Sequence, residues 1–330
     1  MEKKELEKKE SDKEMELEKF YIRTDLALEV KESFEGTHVE VEGVSLEKWK
    51  IPDKDMEISK VKIMTEEGAK AMRKPMGNYI TMEAPNLSVP DEDYHREVSE
   101  ELAKCIKQLL PKKDKLSVLV AGLGNKDVTP DALGPKTVEN LNITRHIIQE
   151  YGEENVGDIQ IRVSGIVPGV MAQTGMETAE IIKGIVEEIH PDVLIVIDSL
   201  AARSTKRLNT TLQISDTGIH PGSGVGNHRG GITEETMGIP VIAIGVPTVV
   251  DAPTIVNDAM ESLLEVLAKE PKLEGISKEI KDFSIQEKYQ LIRELIEPHL
   301  GVMFVTPKDM DETIKMLSFT LSEGINMAFC

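Results

Sequence analysis

Cysteine is nearly absent from this chain: Cys105 and Cys330 are the two among 330 residues. So few thiols cannot build a disulfide framework, which points to a reducing compartment. No apolar run approaches the roughly 18 residues that a membrane-spanning helix needs, and no signal-peptide pattern opens the chain. The expectation is a cytosolic protein without a membrane partner. Basic side chains are also scarce, 39 against 59 acidic ones, for a net charge of −20. A broad nucleic-acid-binding face needs clustered Lys and Arg, so direct nucleic-acid binding is not expected and basic partners fit better.

What is present is an alternation of apolar strands and amphipathic helices long enough to bury a sizeable core. The first 19 residues carry 14 charges and almost nothing to bury, so they read as a tail that packing cannot order. Short alternating stretches at 37–44, 58–64 and 78–82 read as small strands decorating the main sheet. A helix is expected over 90–110, followed by strand 116–122, helix 135–150, strand 159–167, helix 175–189, strands 193–197, 210–215 and 240–246, and helix 254–268. Segment 272–300 reads as a charged helical insertion and 301–305 as a further buried strand. Thr306, Pro307 and Asp309 supply the cap, first-turn proline and acid of a last helix. The pattern specifies an α/β fold, three layers αβα, with a mainly parallel twisted sheet, β-rich N-terminal additions and a C-terminal helical insertion. The expected organisation is a removable segment 1–25 and one domain 26–330, with core 86–270 and 301–330 and insertion 271–300.

Ligands of open α/β sheets bind outside the carboxyl ends of parallel strands. Asp131 follows the strand 115–122, Asp198 follows 192–197, and His220 lies in the Gly-rich loop 215–229. Two converging carboxylates can do acid/base chemistry without a cofactor. Asn125 and Asp127, in the same loop as Asp131, are supporting or alternative groups. Each has a plainer reading: Asp131 and Asp198 as helix N-caps, Asp127 as a turn acid, His220 as a loop stabiliser. Arg203 and Arg207 either hold the carboxylate pair or pair with surface acids.

Other familiar chemistries fit poorly. Gly122 and Gly124 begin a dinucleotide-binding motif, but Asp127 puts negative charge where its third glycine and a pyrophosphate belong. The loop at 218–226 lacks the GK[ST] of a phosphate-binding loop. Pro221 replaces the first glycine of a serine nucleophile elbow around Ser223. Cys105 sits in a helix ahead of the core, where packing explains it. Asp216-Thr217-Gly218 matches the signature of pepsin-like proteases, but those are all-β, and Asp216 reads instead as an Asx-turn residue.

Six longer motifs carry a resemblance: RTDLALE (23–29), GLGNKDVTPDALGP (122–135), IVPGVMAQTG (166–175), IDSLAARS (197–204), QISDTGIHPGSGVGNHR (213–229) and GIPVIAIGVPTVVDA (238–252). In this order they resemble the spore germination proteases of endospore-forming bacteria, from about Phe20 onward. The resemblance implies a homotetrameric endopeptidase of the forespore and spore core, made as a zymogen, that degrades small acid-soluble spore proteins at germination. It also implies a core similar to hydrogenase-maturation peptidases. The family is grouped with unusual aspartic peptidases, and its two proposed catalytic aspartates fall on Asp131 and Asp198.

Two mechanisms stay open at this point. Without a metal, one carboxylate activates water while the other, protonated, donates to the oxyanion or leaving amine, and no cofactor is needed. With one, as in the related maturation peptidases, Asp131, Asp198 and His220 would be three ligands of an open site. The metal-free version is preferred, because carboxylate-rich ligation is less typical for zinc. The family cleaves between an acid and an apolar residue in a Glu-(Ile/Phe)-Ala-(Ser/Gly)-Glu context, which Asp25-Leu26-Ala27-Leu28-Glu29 resembles. Autocleavage between Asp25 and Leu26 is the resulting expectation, with acidification as its trigger.

Overall fold

The computed structural model describes residues 24–35, 41–155, 161–222, 230–267, 283 and 285–330. The charged tail, positions 37–40 of the first alternating stretch, positions 223–229 of the Gly-rich loop and positions 272–282 of the expected insertion lie outside the described residues.

In chain order the elements are α1 (Ala27–Glu35), β1 (Val44–Lys50), β2 (Glu57–Ile63), α2 (Glu66–Met72), β3 (Gly77–Glu83), α3 (Glu92–Leu109), β4 (Leu116–Gly122), α4 (Leu133–Glu139), α5 (Arg145–Tyr151), β5 (Ile161–Ile166), α6 (Met171–Thr174), α7 (Thr178–Ile189), β6 (Val193–Ala202), β7 (Thr211–Ser215), α8 (Glu234–Met237), β8 (Val241–Asp251), α9 (Ala252–Leu267), α10 (Ile285–Leu300), β9 (Phe304–Val305) and α11 (Met310–Ala328). The strands form one sheet in the order β1-β2-β3-β7-β8-β6-β4-β5, with β9 against β8.

Alternation along the central strands builds the layers. Val118, Val120, Ile195 and Ile197 pack into one core with α3 and α11, while Leu119, Ala121, Leu194 and Val196 pack into a second with α7. This is a three-layer α/β arrangement, because side chains of a strand alternate between its faces. The α3 helix shows how local signals agree. Asp91 caps it by accepting from the Tyr94 amide at 3.1 Å. Val98, Leu102 and Ile106 form its buried stripe, and Leu110 ends it ahead of Pro111.

The sheet departs from expectation in being mixed. Pairs β4–β5, β4–β6 and β6–β8 are parallel, whereas β1–β2, β2–β3, β3–β7, β7–β8 and β8–β9 are antiparallel. The N-terminal strands therefore extend the sheet itself rather than decorate it. Strands β6 and β8 run to Ala202 and Asp251, past the expected ends at 197 and 246, because a register shift at Leu200/Ala201 accommodates Pro247 and pairing resumes beyond it. The helix expected over 135–150 is two, α4 and α5, separated where the Asn142 amide turns to donate to Asn326 Oδ1 at 3.0 Å. The last helix begins at Met310 and not at 307, because the Thr306 hydroxyl donates to the Thr248 carbonyl at 2.9 Å, tying that stretch to β8.

Candidate active site

β4 stops one residue before Asp198 matters: its last partner is Ile197, opposite Gly122. The departing chain makes one more sheet-like bond, from the Leu123 amide to the Ile197 carbonyl at 2.8 Å, and then turns away. Asp198 is thus the first residue of β6 with no β4 neighbour, while on its other side it still pairs with Gly245. Its position is inside a strand, not past one as expected and not at a helix N-cap. The side chain is 6% exposed, and its Oδ1 accepts from the Ser199 amide at 2.9 Å.

The loop that leaves β4 delivers the second carboxylate. Asp131 ends a 3-10 turn, Thr129–Asp131, whose Pro130 fixes the first-turn backbone. Asp131 Oδ2 accepts from the Asn125 amide at 2.8 Å. The loop folds this tightly because of glycine: a Cβ on Gly124, at φ +109°, would lie 2.0 Å from the Asp131 carbonyl oxygen, and one on Gly134 would lie 2.6 Å from that of Ile197. These glycines admit backbone against backbone.

Asp131 and Asp198 line one cavity of about 490 Å³, together with Asp25, Thr178, Ser199 and Thr248. Asn125 supports it from outside the lining, its side-chain oxygen taking the Asp127 amide and the Gln173 side-chain amide at 3.1 and 3.0 Å. Asp127 is exposed and pairs with Lys126, as the turn-acid reading expects. Thr178, Ser199 and Thr248 were not expected. The Ser199 and Thr248 hydroxyl oxygens are buried with no hydrogen-bond partner among the described residues, a feature that only tertiary packing creates.

His220 falls elsewhere. It is exposed at the rim of an adjoining cavity of about 300 Å³, near Lys74, and only its neighbours Pro221 and Gly222 reach the carboxylate cavity. Partial burial and the Lys74 charge hold its imidazole below the usual histidine range. Among the described residues no three His, Cys, Asp or Glu side chains are grouped to hold a metal ion, so the Asp131, Asp198, His220 set is not assembled. Asp216 ties β7 to β3, accepting from the amide and side-chain nitrogen of Asn78 at 2.7 and 2.6 Å; it is a cross-strand anchor and not an Asx turn.

The expected processing site reaches the carboxylate cavity through Asp25. The Asp25 amide donates to the Ala201 carbonyl at 3.0 Å, and the Ala201 amide returns a bond to Asp25 Oδ2 at 2.9 Å. Leu26 is fully buried among Leu200, Ala202 and Val250. Glu29 accepts from the Arg203 and Ser204 amides at 2.8 and 3.1 Å and from Thr24 Oγ1. Burial pushes the Glu29 carboxyl up, and those donors with Arg207 only partly offset it. Arg207 forms a bidentate pair with Glu32 at 2.8 and 2.9 Å and reaches Glu83 at 3.0 Å, so it clamps α1 rather than holding the carboxylate pair.

Comparison with known proteins decides what this cleft belongs to. Residues 22–283 match the germination protease family. The chain is a member of that family. It is 49% identical over 308 residues to the germination protease of Caldanaerobacter subterraneus subsp. tengcongensis, covering 93% of this chain and 94% of that protein. The germination protease of Clostridium tetani is 44% identical over 309 residues, covering 93% and 95%, and that of Bacillus subtilis 39% over 358 aligned positions, covering 96% and 95%. The protein is accordingly a peptidase acting on protein substrates. Among the described residues no helix is long and apolar enough to cross a membrane.

Proposed function

We propose that this germination protease is an aspartic-type endopeptidase that begins the degradation of small acid-soluble spore proteins in the germinating spore, and that it is made as a zymogen which cuts itself between Asp25 and Leu26. Asp131 and Asp198 act as the catalytic pair. The observation that carries the reading is that both carboxylates line one cavity and that Asp25, at the expected cleavage site, lines it too.

Two nearby carboxyls resist ionising together, so one keeps a proton while the other is charged. The charged one draws a proton from water as its oxygen attacks the peptide carbonyl carbon, and the protonated one delivers its proton to the leaving nitrogen. Homotetrameric assembly belongs to the same reading. The test is digestion of a purified small acid-soluble spore protein by Asp131→Asn and Asp198→Asn, with melting temperature as the folding control. Both should be inactive while folded. Digestion at the unaltered rate by either variant sinks the pair.

A further inference from the structure

Asp25 is common to the linings of the two cavities: Asp131 and Asp198 stand in one, Lys74 and Gln213 in the other. The carbonyl oxygen of Asp25 accepts from Lys74 Nζ at 2.9 Å and from Gln213 Nε2 at 3.0 Å. That oxygen belongs to the peptide bond that joins Asp25 to Leu26. Gln213 also spans the bond, because its Oε1 accepts from the Ala27 amide at 2.7 Å. This second contact fixes the amide orientation, since the oxygen must face the Ala27 N–H and the nitrogen the Asp25 carbonyl. Gln213 is 9% exposed on β7, anchored opposite Gly245 of β8, so its side chain is held by the sheet.

We propose that Lys74 and Gln213 are the oxyanion-stabilising donors for cleavage of the chain's own Asp25–Leu26 bond, placed across Asp25 from the Asp131 and Asp198 carboxyls. The assignment rests on the processing site proposed above. Water adds its oxygen to the Asp25 carbonyl carbon as one of its protons passes to the ionised carboxylate. The carbonyl π pair moves onto the oxygen, where the Lys74 ammonium and the Gln213 amide hold it. Collapse restores the C=O bond and expels the Leu26 nitrogen, which takes the proton of the second carboxyl, leaving an Asp25 acid and a Leu26 amine. Donors already aimed at the oxygen need no reorganisation as charge develops there. Burial strips solvent from the ammonium and pulls Lys74 below the usual lysine range, with Asp25 and Glu29 opposing that pull.

The experiment follows self-cleavage of the full-length chain by intact mass, first unaltered and then as Lys74→Met, Lys74→Arg and Gln213→Glu. Gln213→Glu keeps an acceptor for the Ala27 amide and loses the donor to Asp25. Lys74→Met and Gln213→Glu should each slow the first-order rate by roughly 10²-fold, the scale for removing one oxyanion donor. Lys74→Arg keeps a cationic donor and should process well ahead of Lys74→Met, which a purely packing role would not require. Melting temperatures near the unaltered value guard against a folding defect. Processing by Lys74→Met and Gln213→Glu within about threefold of the unaltered chain overturns the bracket, far short of the loss an oxyanion donor commands. So does Lys74→Arg being no faster than Lys74→Met. A new N-terminus other than Leu26 in the unaltered chain is a distinct result, which overturns the processing site and the bracket with it.

Discussion

The two halves of the sheet are built by different rules. In the parallel half, β4, β6 and β8 are buried on both faces while β5 forms the edge, and Asp131 and Asp198 sit at the carboxyl side of β4. The antiparallel half, β1, β2, β3 and β7, carries Gln213 and supports α1 and the segment around Asp25. The carboxylates come from one half, while the cleavage segment is seated by both: Leu200, Ala201, Ala202 and Val250 of the parallel half hold Asp25 and Leu26, and Gln213 of the antiparallel half holds the Asp25 carbonyl and the Ala27 amide. Mutations that loosen the seat of α1 should therefore slow self-cleavage and spare hydrolysis of added substrate, whereas loss of a carboxylate should stop both.

The sharpest break comes from the parallel half. Asp131→Asn or Asp198→Asn should lower hydrolysis of a spore-protein substrate by about 10⁴-fold, the scale for losing one member of a catalytic unit. Self-cleavage should fail with it, as intact mass would show. Next is Gly134→Ala, whose Cβ would meet the Leu123 and Ile197 carbonyl oxygens at 2.4 and 2.6 Å. Backbone on both sides cannot give way, so about 3 kcal/mol of stability should go in chemical denaturation, and activity with it.

Arg207→Ala strikes the other half. The guanidinium is 13% exposed and its three carboxylate partners would lose their charge neutralisation. A cost of about 2 kcal/mol is expected, below that of a fully buried pair because Glu32 and Glu83 keep solvent access. Self-cleavage should slow, while a chain that starts at Leu26 should still digest added substrate. The clamp has a pH signature as well. Burial pushes the Glu32 carboxyl up, but Arg207 and Lys48 outweigh it and hold the carboxyl below its ordinary value of 4.5. A depressed carboxyl stabilises the fold above the unfolded-state value, and this is lost as pH falls through the folded one. Melting temperature should therefore drop less steeply below about pH 4.5 in Arg207→Ala than in the unaltered chain. The smallest effect belongs to Asp127→Asn, an exposed turn acid, which should move stability by less than about 0.5 kcal/mol and leave both cleavages intact.

The parallel half was legible because its signals are local. Runs such as 116–122 and 193–197 are apolar enough to announce two-sided burial, and acids just beyond them mark a carboxyl edge. The antiparallel half was harder to read. Strand β1 leaves Glu47, Lys48, Trp49 and Lys50 exposed, α1 begins without a strong local cap, and Leu26 and Leu28 acquire meaning only once buried against β6, β8 and β2. His220 shows the converse error: its neighbours in sequence reach the carboxylate cavity, but its imidazole packs beside Gly231, on the Lys74 side.

By itself the sequence determined the α/β class, the acids that follow two apolar runs and the resemblance to germination proteases, because periodicity and motif spacing are written in nearest neighbours along the chain. Tertiary structure alone decided which groups share a cavity. Lys74, Gln213 and Asp25 lie far apart in sequence, and nothing local distinguishes that lysine or that glutamine from others. Their meeting depends on the register that sets Gln213 opposite Gly245 and on the amide bonds that seat Asp25 on Ala201, long-range pairings that form only when both halves of the sheet fold together.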